Sequence, residues 1–502
     1  MNHAKLVVAL LVLLSFIFPR PAKARGQELE KPNIVYILAD DLGYGDVQCL
    51  NPSRGKIKTP ELDKLATQGM TFTDAHSGSS VCTPTRYGLL TGRYAWRTRL
   101  QSGVLDGTED PPLIAASRLT VPAFLKQQGY TTAAIGKWHL GFTSTLPESV
   151  TASVQKKAGL PAGARIIESP TTRGFDYFWG CSNARTMSGL IENDKVIENI
   201  EPITMLPRLG QQAVRYVNEH ASAAKAGKPF FLYVPLTSPH TPIVPTKEWK
   251  GKSGLGDYGD FVMQTDAIVG EVLAALEKNG LAKNTLVVFT SDNGCSPAAG
   301  TEKLEAQGHF ASAQLRGYKA DIWDGGHRVP FFVRWPGKVA PGSKTTQLVC
   351  HTDLMATCAE LLGVTLPDTA AEDSISWLPV LLGRGKGMPR ESIVHHSIHG
   401  KFAIRQGSWK LEFCSGSGGW GKPGDPEAAK SGLPAVQLYD LSTDIAETKN
   451  LAAERPEVVA QLTKLLERTI AEGRSTPGAK QRNDISVVFQ KSDAKPKRVK
   501  NK

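Results

Sequence analysis

From about residue 33 to residue 375, short apolar runs alternate with amphipathic stretches, the pattern of strands and helices taking turns along a chain. Residues 34–39, 131–135, 230–235 and 286–290 are brief, almost wholly apolar runs and read as buried strands. Helices are expected over 60–69, 120–128, 260–279 and 352–362, each stopped by a glycine cap: Gly69, Gly129, Gly280 and Gly363. This alternation predicts an α/β domain, a mainly parallel sheet with helices on both faces. Beyond about residue 385 the texture changes. Residues 401–413 and 436–441 read as antiparallel strands around a Gly/Pro-rich loop at 415–434, and a closing helix is expected over 455–472. No internal repeat is visible, and 143–172 forms a long, weakly patterned insertion without an assignment.

The first 24 residues have the layout of an export signal. Lys5 gives a positive start, 6–18 are apolar, and Ala22-Lys23-Ala24 offers a cleavage site. The apolar run is too short to span a bilayer comfortably, and no later segment is apolar enough, so no stable membrane insertion is expected. The expected organisation is therefore a signal (1–24), a catalytic domain (25–385), a C-terminal subdomain (386–480) and a basic, disordered tail (481–502). The chain carries 59 Lys+Arg against 48 Asp+Glu, formally +11. Part of the excess lies in the tail, where such a run reads as a solvated end; nucleic acid is a poor partner for an exported chain. The protein is expected in the periplasm or outside the cell. Seven cysteines in 502 residues do not make a disulfide scaffold. Cys350 and Cys358 are expected on one helix, too far apart to bridge, as buried thiols.

Polar residues cluster where the strands end, which is where open α/β sheets bind ligands. The first strand runs into Asp40-Asp41, and the strand at 286–290 runs into Ser291-Asp292-Asn293. Any one of these is ordinarily a turn former or a helix cap. Together they form an all-oxygen set suited to a hard divalent cation. The strand at 131–135 is followed by Gly136-Lys137-Trp138-His139-Leu140-Gly141, with Lys137 and His139 on one side if the segment stays extended. The strand at 230–235 leads to Ser238-Pro239-His240, and Lys319 stands in Arg316-Gly317-Tyr318-Lys319.

The most specific segment is Ser79-Ser80-Val81-Cys82-Thr83-Pro84-Thr85-Arg86, followed by Leu90-Thr91-Gly92-Arg93. A Cys with Pro two residues on and Arg four on, together with GKWHLG, closely resembles the paired signatures of the type I sulfatases. Phe175-Asp176-Tyr177-Phe178-Trp179-Gly180 is similar to the arylsulfatase A and N-acetylgalactosamine-6-sulfatase branch. The resemblance implies an alkaline-phosphatase-like fold with a smaller C-terminal domain of antiparallel sheet plus helix. It also implies that Cys82 is oxidised to Cα-formylglycine by a formylglycine-generating or sulfatase-maturing enzyme. One Ca²⁺ would be held by Asp40, Asp41, Asp292 and Asn293 and would touch Cys82.

In the mechanism so implied, one hydroxyl of the aldehyde hydrate attacks sulfur while His240 protonates the leaving alcohol. The second hydroxyl then expels sulfate from the covalent sulfo-enzyme. Lys137 and His139 would orient the hydrate, Arg86 would support it, and Lys137 and Lys319 would hold sulfate oxygens. With the cation, Arg86, Lys137 and Lys319 set against three aspartates, the site would carry about +2, suited to an anionic ester. Thr83-Pro84 marks a helix start beside the nucleophile, a place that favours anions.

The expected substrate is a sulfated carbohydrate or an aryl sulfate. Two alternatives remain open: a phosphoester hydrolase of the alkaline-phosphatase superfamily, and a non-catalytic binder of sulfated glycans. His351 and Asp353 read as caps or packing partners, and His395, His396 and His399 as structural or rim residues. His327, Arg328, Asn183 and Arg185 are candidates for the substrate pocket.

Overall fold

The computed structural model describes residues 30–105, 110–145, 159–385 and 387–490; the segment read as an export signal and residues 491–502 lie outside them. The principal strands are β1 (Asn33–Asp40), β2 (Thr131–Lys137), β3 (Tyr177–Cys181), β4 (Phe230–Pro239), β5 (Thr285–Ser291) and β6 (Phe331–Arg334). They form the middle of a twelve-stranded sheet in the order β6-β5-β1-β4-β2-β3. β5, β1, β4, β2 and β3 are mutually parallel and β6 is antiparallel to β5. The parallel strands are buried on both faces, which explains why they read as continuous apolar runs.

Alternate residues of β1 enter opposite cores. Ile34, Tyr36 and Leu38 pack with α2 (Cys82–Thr91), α3 (Val121–Gln127) and α6 (Leu354–Leu361). Val35, Ile37 and Ala39 pack with α1 (Pro60–Gln68), α4 (Pro202–Lys225) and α5 (Asp257–Lys278). Each buried aliphatic or aromatic side chain contributes roughly 1.5–3 kcal/mol, so a central strand is fixed in register from both sides. Its polar end cannot slip.

Three of the four expected glycine caps are left-handed, with φ of 88° at Gly129 and 65° at Gly280 and Gly363. Gly69 is not: its backbone is extended at φ −133°, and a Cβ there would come within 2.3 Å of the Val333 carbonyl oxygen. α1 does end at Gly69, but the glycine is required there for close approach to β6 and not for a left-handed cap. Cys350 also departs from expectation. It ends a short strand, Val349–Cys350, ahead of the helix that holds Cys358; all seven cysteines are free thiols.

The C-terminal sheet has four antiparallel strands in sequential order: β7 (Ile393–His396), β8 (Phe402–Gln406), β9 (Trp409–Glu412) and β10 (Gln437–Asp440). β7 escapes sequence reading because its two apolar residues are followed by His395 and His396 rather than by a strand pattern. The helix α7 (Pro456–Glu472) covers the sheet through Leu462, Leu465 and Leu466. Lys410 of β9 is fully buried and joins the sheet to the larger domain, its Nζ 2.9 Å from Asp324, 2.6 Å from Glu447 and 3.1 Å from Glu412. Residues 481–490, assigned from sequence to the solvated tail, pack back instead. Asn483 accepts a hydrogen bond from Arg97, Asp484 pairs with Arg93, and Phe489 meets Phe413 edge to face. Among the described residues, no helix is long and apolar enough to cross a membrane.

Candidate active site

The carboxyl ends of β1 and β5 lie side by side, with Ala39 paired to Ser291 and the Asp292 N–H donating to the Ala39 carbonyl at 3.0 Å. The aspartates beyond each end therefore meet by construction. Asp41 takes a left-handed conformation (φ 66°), which Asp tolerates better than most residues. Its N–H donates to Asp292 Oδ1 at 3.1 Å, and its Oδ1 accepts from Asn293 Nδ2 at 2.7 Å. Beneath this turn, Asp46 accepts from the Gly43 N–H, Tyr258 and His309. Sequence reading passed over Tyr258 and His309, since nothing local marks a residue whose partner is more than 200 positions away.

Cys82 opens α2, one residue earlier than Thr83-Pro84 implied, and Arg86 follows a turn later. The Arg86 guanidinium donates to Asp292 Oδ2 at 2.8 Å and to the Lys137 carbonyl at 3.1 Å. Lys137, the last residue of β2, donates to Asp40 Oδ2 at 2.7 Å. The glycine before it is obligatory: at φ 144°, Gly136 lies so close to β4 that a Cβ would fall 1.9 Å from the Pro235 carbonyl oxygen. His139, at φ 56°, uses Nε2 against the Leu105 carbonyl at 2.9 Å, while its Nδ1 is buried without a hydrogen-bond partner.

Lys319 reaches in from a loop, its Nζ 2.6 and 2.8 Å from the Asp41 oxygens and 3.5 Å from Cys82 Sγ. His240, just past β4, donates from Nδ1 to the Thr241 carbonyl and sets Nε2 3.7 Å from Asp41 Oδ2. All ten residues singled out from sequence converge here, none more than 5% exposed.

Burial opposes ionisation of Asp40, yet Lys137, His240 and Arg86 hold its carboxyl well below the ordinary range. Burial and the neighbouring Asp40 push Asp292 up to about 7 against the pull of Arg86. Burial raises the Cys82 thiol, even with Lys137 and Lys319 drawing it down. Cys82 as a thiol is thus a poor source of thiolate, the form in which cysteine is a nucleophile. Burial lowers His240 to about 4, with Asp41 pulling the other way.

The donor set fits a hard cation. Asp40 Oδ1 and Asn293 Oδ1 are buried oxygens with no hydrogen-bond partner, and one donor atom each from Asp40, Asp41, Cys82 and His240 falls within 4.8 Å of the others. Asp40 Oδ1 has the Arg86 guanidinium 3.6 Å away and Asn293 Oδ1 has no partner, so a cation set against both would be favourable.

The remaining candidates divide. Asn183 caps the turn after β3, and Arg185 is exposed beside it. His327 and Arg328 do not line the site. Arg328 donates to the Thr73 carbonyl and pairs with Asp74, and His327 is buried with His76 and His395. The His327 and His395 rings stack 3.8 Å apart at 12°, so their in-plane lone pairs cannot meet at one ion without ring rotation. This cluster packs beneath the nucleophile segment, with His395 Nδ1 on the Ser77 carbonyl. His351 bonds Thr290, and Asp353 accepts from the Cys350 and Ile375 amides, the packing roles expected of them.

A buried cysteine at a helix start, two lysines and an oxygen-rich set of strand-end residues suit an anionic ligand. Comparison with known proteins narrows the class. The sulfatase family model matches residues 32–364, and a model described as the N-sulphoglucosamine sulphohydrolase C-terminal region matches 318–414. The chain is 33% identical to an N-acetylgalactosamine-6-O-sulfatase of Bacteroides thetaiotaomicron, covering 91% of this chain and 96% of that one. It is 35% identical to human arylsulfatase A, over 86% and 87%. A solved structure from work on the metabolism of multiple glycosaminoglycans by B. thetaiotaomicron superposes with a TM-score of 0.76 at 32% identity, covering 88% of this chain and 99% of that one. The chain belongs to the sulfatase family, in the arylsulfatase A and N-acetylgalactosamine-6-sulfatase branch, and hydrolyses sulfate esters. Its fold is alkaline-phosphatase-like.

Proposed function

We propose that this sulfatase is an exported enzyme that removes sulfate from a sulfated glycan, with Cys82 matured to formylglycine. The observation that carries this reading is the placement of Cys82: at the start of α2, against Lys319, with a raised thiol pKa, beside Asp40 and Asp41 and near an Asn293 amide oxygen that has no hydrogen-bond partner. As an aldehyde hydrate, residue 82 would supply two hydroxyls on one carbon, one to attack sulfur and one to expel sulfate. Ca²⁺ held by Asp40, Asp41, Asp292 and Asn293, touching residue 82, would supply Lewis acidity and a template.

The chain's own residues do the rest. Lys137 and Lys319, already fixed by Asp40 and Asp41, face the incoming sulfate oxygens with little reorganisation. Arg86 locks Asp292 and the end of β2. His139 orients the hydrate through its uncommitted Nδ1. His240 presents Nε2 to the leaving oxygen and donates the proton there. Because Nδ1–H is held by the Thr241 carbonyl, the transferable proton must be on Nε2. The sulfatase-maturing enzyme is the one protein partner this reading requires.

The glycan assignment is supported by relatives whose names or bound ligands are carbohydrates: the N-acetylgalactosamine-6-O-sulfatase, and a structure solved with k-i-k-neocarrahexaose at 25% identity and a TM-score of 0.70. A panel of sulfated mono- and oligosaccharides set against nitrophenyl sulfate tests it. Preference for a sulfated sugar in kcat/KM supports the assignment, and turnover of the aryl ester alone would refute it.

A further inference from the structure

The Gly/Pro-rich loop after β9 is built onto the segment that carries Lys319. Asp321 accepts from the amides of Tyr318, Trp420 and Gly421, and the Ile322 amide donates to the Ser417 carbonyl at 2.8 Å. Glycines make the approach possible: a Cβ at Gly419 would fall 2.2 Å from the Ala320 carbonyl oxygen, and one at Gly421 2.6 Å from Asp321 Oδ2. Asp425 anchors the far side through the amides of Gly416 and Gly418. Ala320 in turn donates to the Ser80 carbonyl, two residues before Cys82. The loop is therefore rigid and lies two residues from an active-site lysine.

On this tightly packed backbone sits one large apolar side chain that is only half covered. Trp420 is 46% exposed, the one aromatic among the large exposed hydrophobics of the described residues. A half-exposed indole on a fixed backbone offers a preformed apolar contact face. Lys422 is exposed two residues on, and exposed His399 stands on the turn whose Ser397 Oγ donates to the Gly418 carbonyl.

We propose that Trp420 is a stacking platform for a sugar ring of an anionic glycan, the ring adjoining the one whose sulfate is removed. The C–H face of a pyranose would cover the indole, Lys422 would meet an acidic substituent, and His399 would hydrogen-bond a hydroxyl. A preformed aromatic contributes contact area at little conformational cost. This assignment rests on the glycan-sulfatase reading and deepens it: the enzyme would prefer an oligosaccharide to a monosaccharide.

The experiment compares wild type, Trp420→Ala and Trp420→Phe on three probes: nitrophenyl sulfate, N-acetylgalactosamine 6-sulfate, and a trisaccharide ending in that sugar. In Trp420→Ala, kcat/KM for the trisaccharide should fall roughly tenfold further than for nitrophenyl sulfate, the scale of one aromatic contact. The loss should appear mainly in KM, and Trp420→Phe should recover most of it. Equal losses on all three probes would make Trp420 a structural residue and overturn the assignment, as would an unaffected trisaccharide. Trisaccharide binding to Cys82→Ala, with and without Trp420→Ala, is followed by calorimetry. Weaker binding without the indole supports the platform and equal binding refutes it, even if wild type turned over none of the probes. That last result would instead defeat N-acetylgalactosamine 6-sulfate as the substrate, separately from the platform.

Discussion

Lys319 Nζ lies within 2.8 Å of both Asp41 oxygens and 3.5 Å from Cys82 Sγ, so one ammonium group bridges a strand-end carboxylate and the residue that opens α2. Burial alone would lower Lys319, but Asp41 outweighs it and keeps the ammonium charged. Residue 82 is thereby tied to the oxygen cluster. In the proposed mechanism this coupling makes the oxygen cluster and residue 82 sensitive to each other.

Asp292→Ala removes the acceptor of both Arg86 and the Asp41 amide. It should lower bound Ca²⁺ and activity together, and chelation of the wild type should do the same. Metal analysis beside a rate assay checks this. Full activity in a metal-free preparation would contradict the assignment of the oxygen cluster.

His240→Ala should reduce turnover of a sugar sulfate on the order of 10²–10⁴-fold and of nitrophenyl sulfate far less, because an alkoxide needs a proton and a nitrophenolate does not. The pH dependence has a definite sign. Burial holds His240 down to about 4, so above that pH the protonated fraction of free enzyme falls by about tenfold per unit. The ratio of kcat/KM for sugar sulfate over aryl sulfate should therefore drop as pH rises from 5 to 7, and stay flat in His240→Ala. A ratio independent of pH in the wild type would assign the proton to another group.

The legible part of this protein was the part written locally. Asp40-Asp41, Lys137 and Asp292-Asn293 each follow an apolar run, and a parallel sheet brings such ends together whatever lies between. Thr120, Gly129, Gly280 and Gly363 marked helix ends because capping is decided within a turn. What stayed hidden depends on distant partners. Gly69 reads as a cap until Val333 is seen against it, and His327 as a pocket residue until His395 stacks on it. Lys410 looks like an ordinary strand lysine. Only the folded chain surrounds it with Asp324, Glu412 and Glu447.

Lys410→Met strands those buried carboxylates. Breaking a buried charge network from one side costs about 3–5 kcal/mol, so the variant should unfold at markedly lower temperature. Calorimetry decides. A change of less than about 1 kcal/mol would show that the network does not join the C-terminal sheet to the larger domain.

Gly136→Ala should be as severe. A methyl group 1.9 Å from the Pro235 carbonyl, at a φ of 144°, must push β2 away from β4 and move Lys137 with it. Loss of activity with a stability cost of about 2–4 kcal/mol is expected, and a variant of wild-type stability would place the backbone differently.

Peptide mapping of catalytically active enzyme at Cys82 tests the central claim most directly. Active protein should show the loss of sulfur at that residue that accompanies conversion to formylglycine, in proportion to specific activity across preparations. Full activity in protein whose Cys82 remains an intact thiol would contradict the account.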